Sequence, residues 1–150
     1  MARKIAFNNI VDKLLLLLDV WQKVNTGPVC VGAQDNSYGT FNMTKTGRVM
    51  TMKLVHKSGS IRCTRQNLDS YWGCPDILKY GKMVMTIIAN ANMTALLSSI
   101  EDLEKIESFC PNKHFYNLEG VGHKSPELVF HKLSRPLSLS RGQEIGRAHV

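Results

Sequence analysis

The 150-residue sequence holds four cysteines, Cys30, Cys63, Cys74 and Cys110, but no C-x-x-C pair. Thioredoxin-like redox chemistry and zinc-ribbon sites both need closely paired thiolates, so neither is expected. The nearest approach to a metal half-site is Cys110 with His114 in "CPNKH". One C-x-x-x-H pair supplies too few ligands for zinc, and the expectation is no metal and no cofactor. Long apolar runs are also missing. "LLLLL", Leu14 to Leu18, falls far short of the roughly 20 residues a membrane span needs. A secretory leader is not evident either, because Asp12 and Lys13 interrupt the apolar region and Asp19 closes it without a small-residue cleavage site. Residues 1–23 are therefore expected to form a short helix or an extension outside the domain.

Catalytic signatures are equally scarce. There is no G-x-S-x-G elbow and no H-E-x-x-H helix. "EGVGHKS" ends like a phosphate loop, but Leu118 and His123 occupy the positions that glycine must fill, and Pro126 stands where a helix should begin. "DNSYGT" opens like a calcium loop yet carries Thr46 in place of the bidentate glutamate. An RNP-type aromatic motif, a zinc finger and a basic helix are all absent, so nucleic acid is not an expected partner. Binding rather than catalysis is the expected activity.

What is present starts with charge. The net charge is +7, and it is uneven. Between Tyr38 and Ile88, eight basic side chains stand against Asp69 and Asp76, a local excess of 8 − 2 = +6. Such a segment attracts anionic surfaces, sulfated glycans among them. Four of the twelve acids gather instead in "SSIEDLEKIES".

Two "NMT" triplets, at Asn42 and Asn92, fit the N-glycosylation acceptor pattern. With an even number of dispersed cysteines, they point to a secreted, extracellular protein with disulfide bonds. Four cysteines allow three pairings. Cys63 with Cys74 would close a short loop, and Cys30 with Cys110 would tie an early strand to a later helix. A short closed loop contributes about 2–4 kcal/mol by restricting the unfolded chain.

The local patterns are mostly β. In "RVMTMKLVH", Met50, Met52 and Leu54 alternate with Thr51, Lys53 and Val55, the period of a half-buried strand. With "YGTFNMT" before it and "SIRCT" after, and glycines at 47 and 59, the segment predicts a three-stranded meander. "KMVMTIIA" predicts a strand buried on both faces, and "ELVFHKL" and the residues after Pro136 predict two more. Leu96, Ile100 and Leu103 recur at helical spacing, predicting a helix over about 96–109. The expected fold is mainly β, an antiparallel β-sandwich or jelly-roll-like module with that helix inserted, occupying residues 24–143. The closing "EIGRAHV", residues 144–150, completes no strand pattern and resembles the translation of a sequencing-library adapter. It is read as a non-native tail, with the domain truncated before it.

The candidate site is the loop "IRCTRQNLDSYWGCPD". Arg62, Arg65, Tyr71 and Trp72 combine cations with aromatic faces suited to sugar rings or protein anchors. Lys53 and Lys57 would join them for an anionic partner. Trp72 has a competing use, as a plug in the core beneath the loop. The leading expectation is a secreted, disulfide-linked module recognising an extracellular glycan or protein, with an anionic partner as one option. The alternatives are a secreted hydrolase with a histidine-containing site and an intracellular basic protein with free thiols.

Overall fold

A computed structural model describes residues 5–7, 11–14, 21–32, 38–62, 69–73, 83–84, 86–92, 94–97, 116–118 and 120–146. Its strands are β1 (Ile5–Phe7), β2 (Val11–Leu14), β3 (Trp21–Lys23), β4 (Val29–Val31), β5 (Phe41–Asn42), β6 (Gly47–Ser58), β7 (Met83–Val84), β8 (Tyr116–Asn117), β9 (Glu127–Val129), β10 (Leu137–Leu139) and β11 (Glu144–Ile145). Every strand pairing among the described residues is antiparallel. The fold is mainly β, as the alternating patterns predict.

The twelve-residue β6 is the spine. Its β-branched Val49, Thr51 and Val55 suit a pleated surface. Met50, Met52 and Leu54 are buried, as the alternation predicts, but so are Val49 and Thr51. Its middle is therefore covered on both faces. Four strands pair along it in succession: β10 from Gly47 to Val49, β2 from Val49 to Lys53, β9 from Lys53 to Val55, and β1 at His56 and Ser58. Between β9 and β10, the Phe130 and Leu133 amides donate to the Met52 and Met50 carbonyls at 3.0 and 2.7 Å. β3 extends the sheet beyond β2, and β4 extends it beyond β1. Two short ladders, β5 with β11 and β7 with β8, complete the described strands.

One core serves the whole fold. Val24, Val31, Met43, Met52, Ile61, Trp72, Ile88, Leu118, Leu128, Leu139 and Ile145 belong to a single buried cluster drawn from nearly every segment. Each such side chain contributes about 1.5–3 kcal/mol relative to exposure.

Several expectations need correction. Of residues 1–23, expected to form a short helix or an extension outside the domain, the described residues 5–7, 11–14 and 21–23 are instead β1, β2 and β3 of the main sheet. An isolated helix of a few residues gains too few hydrogen bonds to offset nucleation, whereas β6 offers a long ladder to pair with. The expected local meander is replaced by distant pairings: β5 joins β11, and the described part of "SIRCT", residues 60–62, contributes the Ile61–Ser70 bridge. Gly59 holds a positive φ of 82° directly after β6, while Gly47 is an ordinary strand residue facing Leu139. Glu144 and Ile145 belong to a strand rather than to a patternless tail, and Ile145 is wholly buried. Of the predicted helix, residues 98–109 lie outside the described residues. Leu96 and Leu97 follow an Ala89–Ala95 bridge instead of starting a helical turn.

Gly39 is packed closely against β4. A Cβ there would lie 2.5 Å from Val29 Cγ1 and 2.8 Å from the Cys30 carbonyl oxygen. Gly39→Ala is expected to destabilise the fold by about 1–3 kcal/mol through overpacking, read as a lower urea midpoint with unchanged slope.

Candidate functional site

The aromatic loop is anchored by its backbone. Ile61 and Ser70 exchange two amide-to-carbonyl hydrogen bonds, at 2.8 and 2.9 Å. Just inside the loop that this bridge closes, Arg62 donates through Nε and Nη2 to the Asp69 carboxylate at 3.0 and 2.9 Å. The two ends of the loop are thus clasped by a β-bridge and an exposed ion pair. Arg65, Cys63 and Cys74 lie outside the described residues.

The structure turns Trp72 inward. It has no exposed surface and is the largest fully buried side chain. Its indole Nε1–H donates to the Ser125 carbonyl at 2.6 Å, which satisfies the polar edge that a buried tryptophan carries. The 122–126 turn is built to receive it: Ser125 Oγ accepts from the Gly122 amide, and the Ser125 amide donates to the Gly122 carbonyl. As a ligand contact, Trp72 is therefore corrected to a core residue.

Tyr71 is half-buried and stacks on His56, with ring centroids 3.6 Å apart and planes 8° from parallel. His56 Nε2 lies 2.8 Å from the Gly59 carbonyl, which can only accept, so that nitrogen carries a proton. The Tyr71 amide and the Ser70 hydroxyl both donate to the His123 carbonyl. Loop, turn and β6 are consequently one packed unit.

The basic middle is less available than the composition suggests. Lys53 Nζ bonds Glu127 at 3.0 Å and sits 5.1 Å from the centroid of the Trp21 ring. Arg62 is engaged by Asp69. Lys57 is exposed at the end of β6. Among the described residues, no three histidine, cysteine or acidic side chains converge as a metal site would require. Cys110 and His114 are outside the described residues. No helix of the described residues is long and apolar enough to cross a membrane.

A second feature lies away from this loop. An open cleft of about 450 Å³ is lined by the 26–29 turn, residues 40–44, and Arg141 with Gly142. Three long-range hydrogen bonds bring these segments together. The Thr44 amide donates to the Val24 carbonyl, the Gly142 amide to the Met43 carbonyl, and the Arg141 amide to Thr46 Oγ1. Asn25 is buried and its Nδ2 donates to the Gly27 carbonyl at 2.6 Å, which shapes the first wall. Phe41 and Met43 back the cleft from the core, while Thr26, Thr40, Asn42 and Arg141 are exposed on it. Sequence reasoning missed this cleft because its residues carry no period and come from three distant turns. The dipeptides Gly27-Pro28 and Arg141-Gly142 do mark two of those turns.

Both acceptor asparagines are exposed. Asn42 is exposed on β5, and Asn92 is exposed on a turn whose Asn90 Oδ1 accepts from the Asn92 and Thr94 amides. Cys30 is a free, exposed thiol, and Cys110, its partner in one of the three possible pairings, is outside the described residues. Val29 and Val31 face the core, so alternation along β4 sends the intervening Cys30 outward. Trp72→Ala should lower stability by about 3–5 kcal/mol in chemical denaturation. Arg62→Ala, which breaks an exposed ion pair, should cost less than about 1 kcal/mol in the same measurement.

No family model matches the sequence, and no curated protein matches it. By structure, the chain is similar to AJLec, a β-rich lectin from the sea anemone Anthopleura japonica. The TM-score is 0.56 at 21% identity, with 83% of this chain and 91% of that chain covered. At that identity, the likeness is one of fold.

Proposed function

We propose that this chain is an extracellular glycan-binding module that takes a saccharide in the cleft between Thr26, Asn42 and Arg141. The carrying observation is that an open, mixed polar and apolar cleft occurs on a fold shared with a lectin. A saccharide presents hydroxyls that both donate and accept, together with apolar C–H faces. The threonine hydroxyls and the Asn42 amide can answer in both directions, and the Arg141 guanidinium adds a fork of donors. Pro28, Val29, Phe41 and Met43 offer the apolar component.

The extracellular part of the proposal draws on the exposed acceptor asparagines Asn42 and Asn92. Arg62 and Tyr71 form a separate surface. Their engagement with Asp69 and His56 makes them less ready to meet a ligand than the cleft residues.

A printed array of neutral, sialylated and sulfated saccharides tests the proposal. The unmodified chain is expected to bind at least one class. Arg141→Ala should bind it about tenfold more weakly or worse, the effect of losing a charge-assisted hydrogen bond, with its melting temperature unchanged. Loss of binding in Tyr71→Ala with full binding by Arg141→Ala would move the site to the aromatic loop. Binding to no saccharide would overturn the glycan reading.

A further inference from the structure

The whole sequon Asn42-Met43-Thr44 lies in the lining of the cleft. Among the described residues, none of the Asn90–Thr94 turn, which holds the other sequon, lines it. We propose that N-glycosylation of Asn42 closes this cleft, so that the chain exists in an open form and a self-capped form. The glycan on Asn92 leaves the cleft open. The proposal rests on reading the cleft as the binding site, and it assigns that site a regulation by covalent modification.

In the transfer step, the anomeric carbon of a lipid-diphosphate-linked oligosaccharide bonds to Asn42 Nδ2. Its bond to the diphosphate oxygen breaks, the amide nitrogen loses one proton, and the lipid diphosphate leaves. Asn42 is exposed on the cleft side of a two-residue strand, so the first sugars stand at the cleft mouth beside Thr26 and Arg141. The modified amide also keeps only one N–H for any other ligand.

Folding sets the order of events. In the finished fold, Asn42 is paired with Glu144, the Met43 amide donates to the Gln143 carbonyl, and the Thr44 amide donates to the Val24 carbonyl. All three sequon residues are held along their backbone. The β11 partner is made more than a hundred residues after Asn42, so the emerging chain presents this sequon before the ladder exists. Transfer at Asn42 thus competes with β5–β11 pairing. The Asn92 turn is closed by local bonds to Asn90, which itself bridges Ile145, and Asn92 is still exposed in the finished fold.

The test compares full-length chain from a bacterial cytoplasm with full-length chain secreted by eukaryotic cells as wild type, Asn92→Gln and Asn42→Gln. Peptide mass spectrometry reads occupancy at each sequon, and hydroxyl-radical footprinting reads Pro28 and Arg141, which are exposed at the cleft in the bare chain. The secreted Asn92→Gln protein is expected to carry its glycan on Asn42 and to show several-fold protection of Pro28 and Arg141 against the bacterial protein. Its saccharide-array signal should be about tenfold lower or less, equivalent to about 1.4 kcal/mol of lost affinity. Asn42→Gln, with its glycan on Asn92, should show no such protection. An unmodified Asn42 in the secreted protein, or a modified Asn42 with Pro28 and Arg141 unprotected, overturns the capping. Absence of array binding by the bacterial protein would instead sink the saccharide reading, while the footprint still decides whether Asn42 closes the cleft.

Discussion

The pairing of β6 with four other strands is the constraint on which the rest depends. A strand of twelve residues leaves a long row of backbone donors and acceptors, and burial of its middle makes each unpaired group costly. β1, β2, β9 and β10 satisfy that row in turn. Their attachment delivers the N-terminal segment and the C-terminal segment to one sheet. The cleft is a consequence: its walls are the connections that leave β3, enter and leave β5, and leave β10.

The aromatic loop and the cleft illustrate two ways in which a surface is built. The loop spends its aromatics on the interior. Trp72 fills the core and hangs on Ser125, while Tyr71 closes over His56. Of the cations described near it, Arg62 and Lys53 are matched with Asp69 and Glu127, while Lys57 is exposed. The cleft keeps exposed polar side chains over an apolar floor. A ligand gains more where the protein has not already used its own groups on one another, and that difference moves the candidate site from the loop to the cleft.

Much of the architecture was legible wherever one face is buried and the other is wet. Leu128 and Phe130 point inward and Val129 outward, as a period of two requires, and Leu137–Leu139 is a strand after Pro136. The pattern failed where a strand is covered twice, as at Thr51 and Val49, because alternation then disappears. It failed also in the N-terminal segment, where a leucine run looks helical and the deciding partner is distant in the chain. Of the site, the sequence marked Asn42 as a sequon and Gly27-Pro28 as a turn. It held nothing to say that they would meet Arg141.

Local pattern by itself determined that this chain is mainly β, that β6, β9 and β10 are strands, and that two asparagines fit the glycosylation acceptor pattern. These follow from side-chain period and residue type, which act over a few neighbouring positions. Only the tertiary structure decided that Trp72 faces inward, that Cys30 faces outward, that Ile145 completes the core against Phe41, and that one sequon lies inside a cleft. Each of these depends on which distant strand satisfies which backbone edge, and that choice is made by the whole chain at once.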